Sequence, residues 1–312
     1  MQPGLEDKAS EPNIIIICKV YFDGTEKDFD MAFYCALTEG DFSLKASVAL
    51  ACRLAKKLDT ELIGVSALPD PARAVMMTGV SMHGMMVASG GRLAEGIKEA
   101  QAEARGYLEK TFNEVCDSDD LAADQRSIEH HVGLPTEIYP RVSLLSDGLI
   151  TPHECVTSGN EHGLAFESML LDRRQPVIVS STDETPDLST MIIAWDGSPQ
   201  AARAIRLNLS VLRAADRIVV AQNAQKIDVE DRFGAEDPKR VVDFLKPLKK
   251  DVDVRKFDGK VASGLLKLSE DLNAGVIVAG AYGHSRLEEM IFGGVSKSLL
   301  RADHGPALAL AH

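Results

Sequence analysis

The chain has 312 residues, 45% of them hydrophobic and 26% charged, with a formal net charge of −13. That length suggests about two globular domains, and the acidic balance argues against non-specific nucleic-acid binding, which depends on Lys and Arg neutralising phosphates. No apolar run approaches the ~18 residues of a membrane span, and Ile14-Ile15-Ile16-Ile17, with acidic residues before it, is too short for a signal-peptide core.

Residues 1–30 do not fit the strand–helix pattern of the remaining chain, and Met31 falls where a first strand should begin. The apolar run Phe33-Tyr34-Cys35-Ala36-Leu37 is closed by Glu39-Gly40-Asp41. Over 44–58 the residues Ala46, Val48, Ala49, Cys52, Leu54 and Ala55 share one face of a predicted helix. A strand is expected next, over 61–65. The stretch 67–91, rich in methionine (Met76, Met77, Met82, Met85, Met86) and glycine, reads as a loop folding over its own domain. A fourth strand is expected over 148–151, a helix over 163–171, and a closing strand in Gln175-Pro176-Val177-Ile178-Val179-Ser180.

The same plan then repeats. The strand Ile192-Ile193-Ala194-Trp195 ends in Asp196-Gly197-Ser198. A helix is predicted over 200–214, strands over 217–221 and 252–257, a helix over 264–273, and a strand over 275–279. The last helix is expected over 297–301, with a helical start over 286–292, before the closing run Gly305-Pro306-Ala307-Leu308-Ala309-Leu310. Strand, helix, strand units in series are parallel βαβ units, and their repetition indicates a tandem protein. The expected boundaries are an extra segment 1–30, one domain over 31–182 and another over 188–312. In such sheets ligands bind outside the carboxyl ends of strands where the topology reverses.

The most telling stretch comes directly after Val276-Ile277-Val278-Ala279. Gly280 and Gly283 leave the strand, and Gly293 and Gly294 precede Val295, Ser296 and Lys297. Glycines let a backbone curl around an anion. The spacing is neither a Walker A loop nor the dinucleotide G-x-G-x-x-G. With the distant Asp-Gly-Ser turn it resembles the universal stress protein family, in which G-x2-G-x9-G marks the members that bind ATP.

The resemblance implies an α/β protein of two tandem Rossmann-like domains, similar to adenine-nucleotide α-hydrolases, each a five-stranded parallel sheet with helices on both faces. It implies an ATP or other adenine-nucleotide site in the C-terminal domain, with Mg²⁺ as an accompanying ion. Asp196 would accept from a ribose hydroxyl or adenine amine, Ala194 and Ala279 would line the adenine pocket, and Asn223 would edge it. Amides around Gly280 and Gly283 would meet ribose and the first phosphate. Those of Gly293, Gly294 and Val295, with the Ser296 hydroxyl, would hold the later phosphates. Family members usually carry Ser or Thr at the position of Gly294.

The first half lacks the glycine loop, so that domain is expected to be degenerate and to serve packing. The two domains would join through Val177–Val179 and 307–310 as a pseudo-dimer, with a further edge for homodimers. The protein would be a cytoplasmic stress regulator with slow hydrolysis at most, since no positioned general base is evident. The alternatives are a nucleotide-free scaffold, and an adenylate-forming enzyme of the related hydrolase group, whose early pyrophosphate loop Asp196-Gly197-Ser198-Pro199 does not supply. Elsewhere, His130-His131 and His153-Glu154-Cys155 with His162 match no metal-ligand spacing; adjacent histidines on a strand point to opposite faces. His284 in the glycine loop reads as a packing or capping residue. The five cysteines, Cys18, Cys35, Cys52, Cys116 and Cys155, show no paired spacing and read as free thiols in a reducing cytoplasm.

Overall fold

The computed structural model describes residues 19–22, 25–28, 32–39, 43–73, 87–157, 159–181, 187–224, 237–281, 294–302 and 305–312. The N-terminal elements are β1 (Lys19–Phe22) and β2 (Thr25–Asp28), an antiparallel pair apart from the main sheet. The first domain continues with β3 (Ala32–Leu37), α1 (Leu44–Leu58), β4 (Glu61–Leu68), α2 (Val87–Ser118), β5 (Arg126–Val132) and α3 (Pro135–Val142). It closes with β6 (Gly148–Thr151), α4 (His153–Thr157), α5 (Glu161–Glu167) and β7 (Val177–Val179).

The second domain comprises β8 (Thr190–Ala194), α6 (Pro199–Leu207), α7 (Leu209–Arg213), β9 (Arg217–Asn223), α8 (Lys239–Leu245) and β10 (Asp251–Phe257). It ends with α9 (Val261–Leu272), β11 (Val276–Gly280), α10 (Gly294–Leu300) and β12 (Ala307–Ala311). Among the described residues no helix is long and apolar enough to cross a membrane.

Ten strands form one sheet in the order β10-β9-β8-β11-β12-β7-β6-β3-β4-β5. Each half is wholly parallel, and both have the same order: the first strand lies centrally, the second and third to one side, the fourth and fifth to the other. The halves meet at β7 and β12, which run antiparallel with Ile178 opposite Ala309. The inner strands are apolar runs because helices cover both faces. Ile193 and Val278 face the layer built from α1, α2, α6, α7 and α8, while Ile192 and Ile277 face the layer of α3, α5, α9 and α10. The outermost strand β10 reads Asp-Val-Asp-Val-Arg-Lys-Phe and is largely exposed, and its charges discourage further edge pairing.

The two domains share more than the central ladder. Ser210 of α7 donates to Asp147 Oδ1, whose Oδ2 accepts from the Ala32 amide at 3.2 Å. Lys57 at the end of α1 reaches Asp216 at 2.9 Å.

Several boundaries differ from the sequence expectation. The helix expected over 200–214 is broken at Asn208, which is wholly buried and turns its Nδ2 back to the Ala204 carbonyl at 2.9 Å. Asn side chains compete in this way with the helical ladder. The stretch expected as loop through residue 91 is already helical from Val87, because α2 runs for 32 residues. The helix expected over 163–171 begins at Glu161, capped by Asn160, and passes into a single π turn over Ser168–Asp172. The final helix begins at Gly294 rather than 297. Gly40, Asp41 and the helical start expected over 286–292 lie outside the described residues.

Candidate functional site

The second domain reverses its winding between β8 and β11, which are parallel neighbours with Ile193 opposite Val278. The strands that follow β8 and β11 in the chain, β9 and β12, lie on opposite sides of this pair, the topology beyond whose carboxyl ends ligand crevices form. From β8 the chain extends one more ladder bond, Trp195 N to Ala221 O at 2.9 Å, and then turns. Asp196 closes that turn by accepting from the Ser198 amide through Oδ1 at 2.9 Å, and Gly197 takes the left-handed φ of 76° that the turn requires. Ser198 caps α6 by accepting from the Ala201 amide at 3.1 Å, with Pro199 in the first helical turn. The Asp196 side chain is exposed at the rim.

On the other side of the crevice, Gly280 ends β11 directly against α6. A Cβ there would meet the Ala201 nitrogen at 2.7 Å and the Gln200 carbonyl carbon at 2.7 Å. The base of the following loop is tied to β12: the Ala281 amide donates to Ala311 O at 2.8 Å, and His312 Nδ1 donates to Ala281 O at 2.7 Å.

The structure brings Ala194, Asp196, Ala279 and Gly280 to this edge. Ala194 is half-buried and Ala279 nearly buried. Asn223 ends β9 two residues beyond the partner of Ala194, but its Nδ2 is committed to Gly259 O at 2.8 Å. On α10, none of the described residues comes within 4 Å of where a Gly294 Cβ would sit, Val295 is 39% exposed, and Ser296 is 6% exposed. Ser296 therefore presents little surface to solvent. Gly283, Gly293 and His284 lie outside the described residues.

The corresponding crevice of the first domain lies between β3 and β6, with Cys35 opposite Ile150. Here Glu154, from α4, reaches the start of α1: its Oε2 accepts from the Ser43 amide at 3.1 Å and its Oε1 from the Ser43 hydroxyl. A side-chain carboxylate thus stands at a helix N-terminus, where an anion is favoured. Burial works against the charged form of Glu154, but the Ser43 hydrogen bonds outweigh it and hold the carboxyl below its usual range. Nearby, burial pushes the His162 imidazole down to about 4, with Tyr139 Oη 3.4 Å from its Nδ1.

Two arrangements escaped sequence reasoning. Ser66 Oγ lies 2.7 Å from His130 Nδ1, and His130 Nε2 lies 2.9 Å from Glu109 Oε1. Ser66 is 1% exposed, so this relay ties β4, β5 and α2 together rather than presenting a nucleophile. His131 turns instead to Glu129 at 2.9 Å, as opposite pleats require. The second is an open cavity of about 360 Å³ between α6 and α8, lined by Trp195, Ile205, Arg206, Val241 and Phe244 among others. Among the described residues no group of three or more His, Cys, Asp or Glu side chains is placed to hold a metal ion.

The family model described as Universal stress protein family matches residues 188–309. The C-terminal domain is a universal stress protein domain. The chain is similar to the crystal structure of a universal stress protein from Archaeoglobus fulgidus DSM 4304, at 15% identity and a TM-score of 0.60, covering 91% of this chain and 98% of that one. A functionally unknown protein from Pseudomonas aeruginosa PAO1 is 10% identical with a TM-score of 0.50, covering 91% of this chain and 92% of that one. A universal stress protein solved in complex with cAMP is 19% identical over 40% of this chain and 96% of its own, with a TM-score of 0.33. No curated protein matches. At these identities the first two establish a common fold spanning both domains: a large, mostly parallel sheet clothed by helices, of the universal stress protein type.

Proposed function

We propose that the C-terminal universal stress protein domain binds an adenine nucleotide, foremost ATP, beyond the carboxyl ends of β8 and β11. The protein would act in stress response as a nucleotide-dependent regulator rather than as a metabolic enzyme. The observation that carries this reading is the meeting of the Asp196 turn and the Gly280 loop base at the one reversal of winding in that domain.

The residues at the crevice suit such a ligand. Ala194 and Ala279 leave room for a flat base beside the strand ends. Asp196 uses Oδ1 in its own turn, leaving Oδ2 to accept from a ribose hydroxyl or an adenine amine. By the family resemblance, Gly283 and Gly293, with the amides of Gly294 and Val295, would carry the phosphates. Among the described residues of the crevice Asp196 is the one carboxylate, so a Mg²⁺ ion would be held chiefly by phosphate oxygens and water. The first domain, with Glu154 already at the start of α1, would bind no nucleotide and would serve as the partner half of a pseudo-dimer joined through β7 and β12. The four described cysteines are free thiols, which suits the cytoplasm.

A nucleotide-free scaffold is the second reading, and it is favoured by one feature: Gly294 offers no hydroxyl where family members usually carry one. Calorimetric titration of ATP and AMP into the wild-type protein and into Asp196→Ala separates the two. The nucleotide reading requires saturable binding that weakens at least tenfold in the variant.

A further inference from the structure

Cys52 on α1 and Cys116 on α2 stand 64 residues apart in sequence, yet their sulfurs are 3.0 Å apart and both residues are fully buried. A disulfide needs a sulfur separation of ~2.05 Å, so about 1 Å of side-chain movement would close one. We infer that Cys52 and Cys116 are a modification site, a dithiol that a hydroperoxide converts to a disulfide stapling α1 to α2.

Burial alone does not argue for this, since buried cysteine is commonly a small hydrophobe. The surroundings do. Arg126, at the start of β5, pairs with Asp117, the residue next to Cys116, which brings its positive charge to bear on the Cys116 thiol. The hydrogen bond between the two thiols is the largest influence on both. It lowers Cys116, with Arg126 assisting against burial, and it raises Cys52. Of the two, Cys116 is the thiol held below its usual range, and it is the one with the Arg126 charge beside it. The other described cysteines differ: burial pushes Cys35 up, and Cys155 up to about 12. Thiolate character next to a guanidinium is the usual mark of a reactive cysteine.

The reaction balances with hydrogen peroxide as oxidant. The Cys116 thiolate attacks one peroxide oxygen, breaking the O–O bond to give a sulfenic acid and hydroxide. The Cys52 sulfur then attacks Cys116 Sγ, displacing the hydroxyl, which leaves as water with the Cys52 proton. Two thiols lose two electrons and one peroxide becomes two waters. With the pair buried, a peroxide reaches it only in transient opening of the α2 end, where Cys116 is two residues from the last helical residue, Ser118. The closing geometry is already held: Arg53 pairs with Asp119 at 3.1 Å, and Lys56 donates to Asp119 O at 2.8 Å.

The test uses the full chain treated with hydrogen peroxide, denatured in iodoacetamide, digested with trypsin and mapped by mass spectrometry. The expected product joins peptide 46–53 to peptide 111–126 within one chain, at the sum of their masses less two hydrogens, and dithiothreitol dissolves it. C116S loses the product and C35S keeps it. The oxidised wild type should melt ~5 °C higher than the reduced protein, as expected for a long closed loop. Full alkylation of both cysteines after peroxide would overturn the inference, as would Cys116 halting at a sulfinic acid or linking two chains. Should C116S not fold, the wild-type peptide map decides alone.

Discussion

Gly280 and Ala201 touch backbone to backbone: a Cβ on Gly280 would stand 2.7 Å from the Ala201 nitrogen. The end of β11 and the first turn of α6 are thus fitted together without a side chain between them, and the two sides of the crevice are fixed relative to each other. Gly280→Ala must push α6 outward or distort the loop base. We expect a stability loss of about 1–3 kcal/mol, typical of overpacking, and at least a tenfold loss of ATP affinity. Thermal melts and calorimetry on the one variant read both.

Asp196 has a structural duty as well as the proposed ligand duty. Its Oδ1 accepts from the Ser198 amide, and removing such a bond costs about 1 kcal/mol. Asp196→Asn preserves the turn acceptor while removing the charge. It should therefore melt close to wild type yet bind ATP more weakly, whereas Asp196→Ala should lose both.

None of the described residues crowds the position of a Cβ on Gly294. Gly294→Ser should fold without strain and gain helix propensity. If the phosphates lie near this turn, the added hydroxyl should tighten ATP binding severalfold while leaving the binding of adenosine unchanged.

His162 makes acid stability measurable. Its folded value of about 4 lies below the ordinary imidazole value because burial disfavours the charged form. The unfolded chain therefore binds a proton that the folded chain refuses, and stability present above pH ~6.5 is lost as pH falls towards 4. His162→Gln should flatten the melting temperature over that window, and melts at intervals from pH 7 to pH 4 read the difference.

The alternation of apolar runs with amphipathic segments made the fold legible, most clearly in the second half. There, strands expected from Ile192, Arg217, Val252 and Gly275 are found within two residues of β8, β9, β10 and β11. β8, β9 and β11 are apolar runs too short for a buried helix, and β10 alternates Asp-Val-Asp-Val as an exposed edge strand does. The turn chemistry of Asp196-Gly197-Ser198 was equally readable because it is local.

What escaped was settled by tertiary contacts. The break at Asn208 depends on complete burial of one amide, which a helical pattern with apolar residues on either side conceals. Glu154 reaching Ser43 joins residues 111 apart, and Cys52 reaching Cys116 joins residues 64 apart. Neither spacing carries a signature, since both depend on which strands and helices become neighbours.

The most direct test of the central claim is to purify the protein without added nucleotide, denature it, identify any released small molecule by mass spectrometry, and titrate the emptied protein with ATP. The account predicts either released adenine nucleotide or saturable ATP binding that Gly280→Ala weakens. A protein that releases none and ignores millimolar ATP would contradict it and leave the scaffold reading in its place.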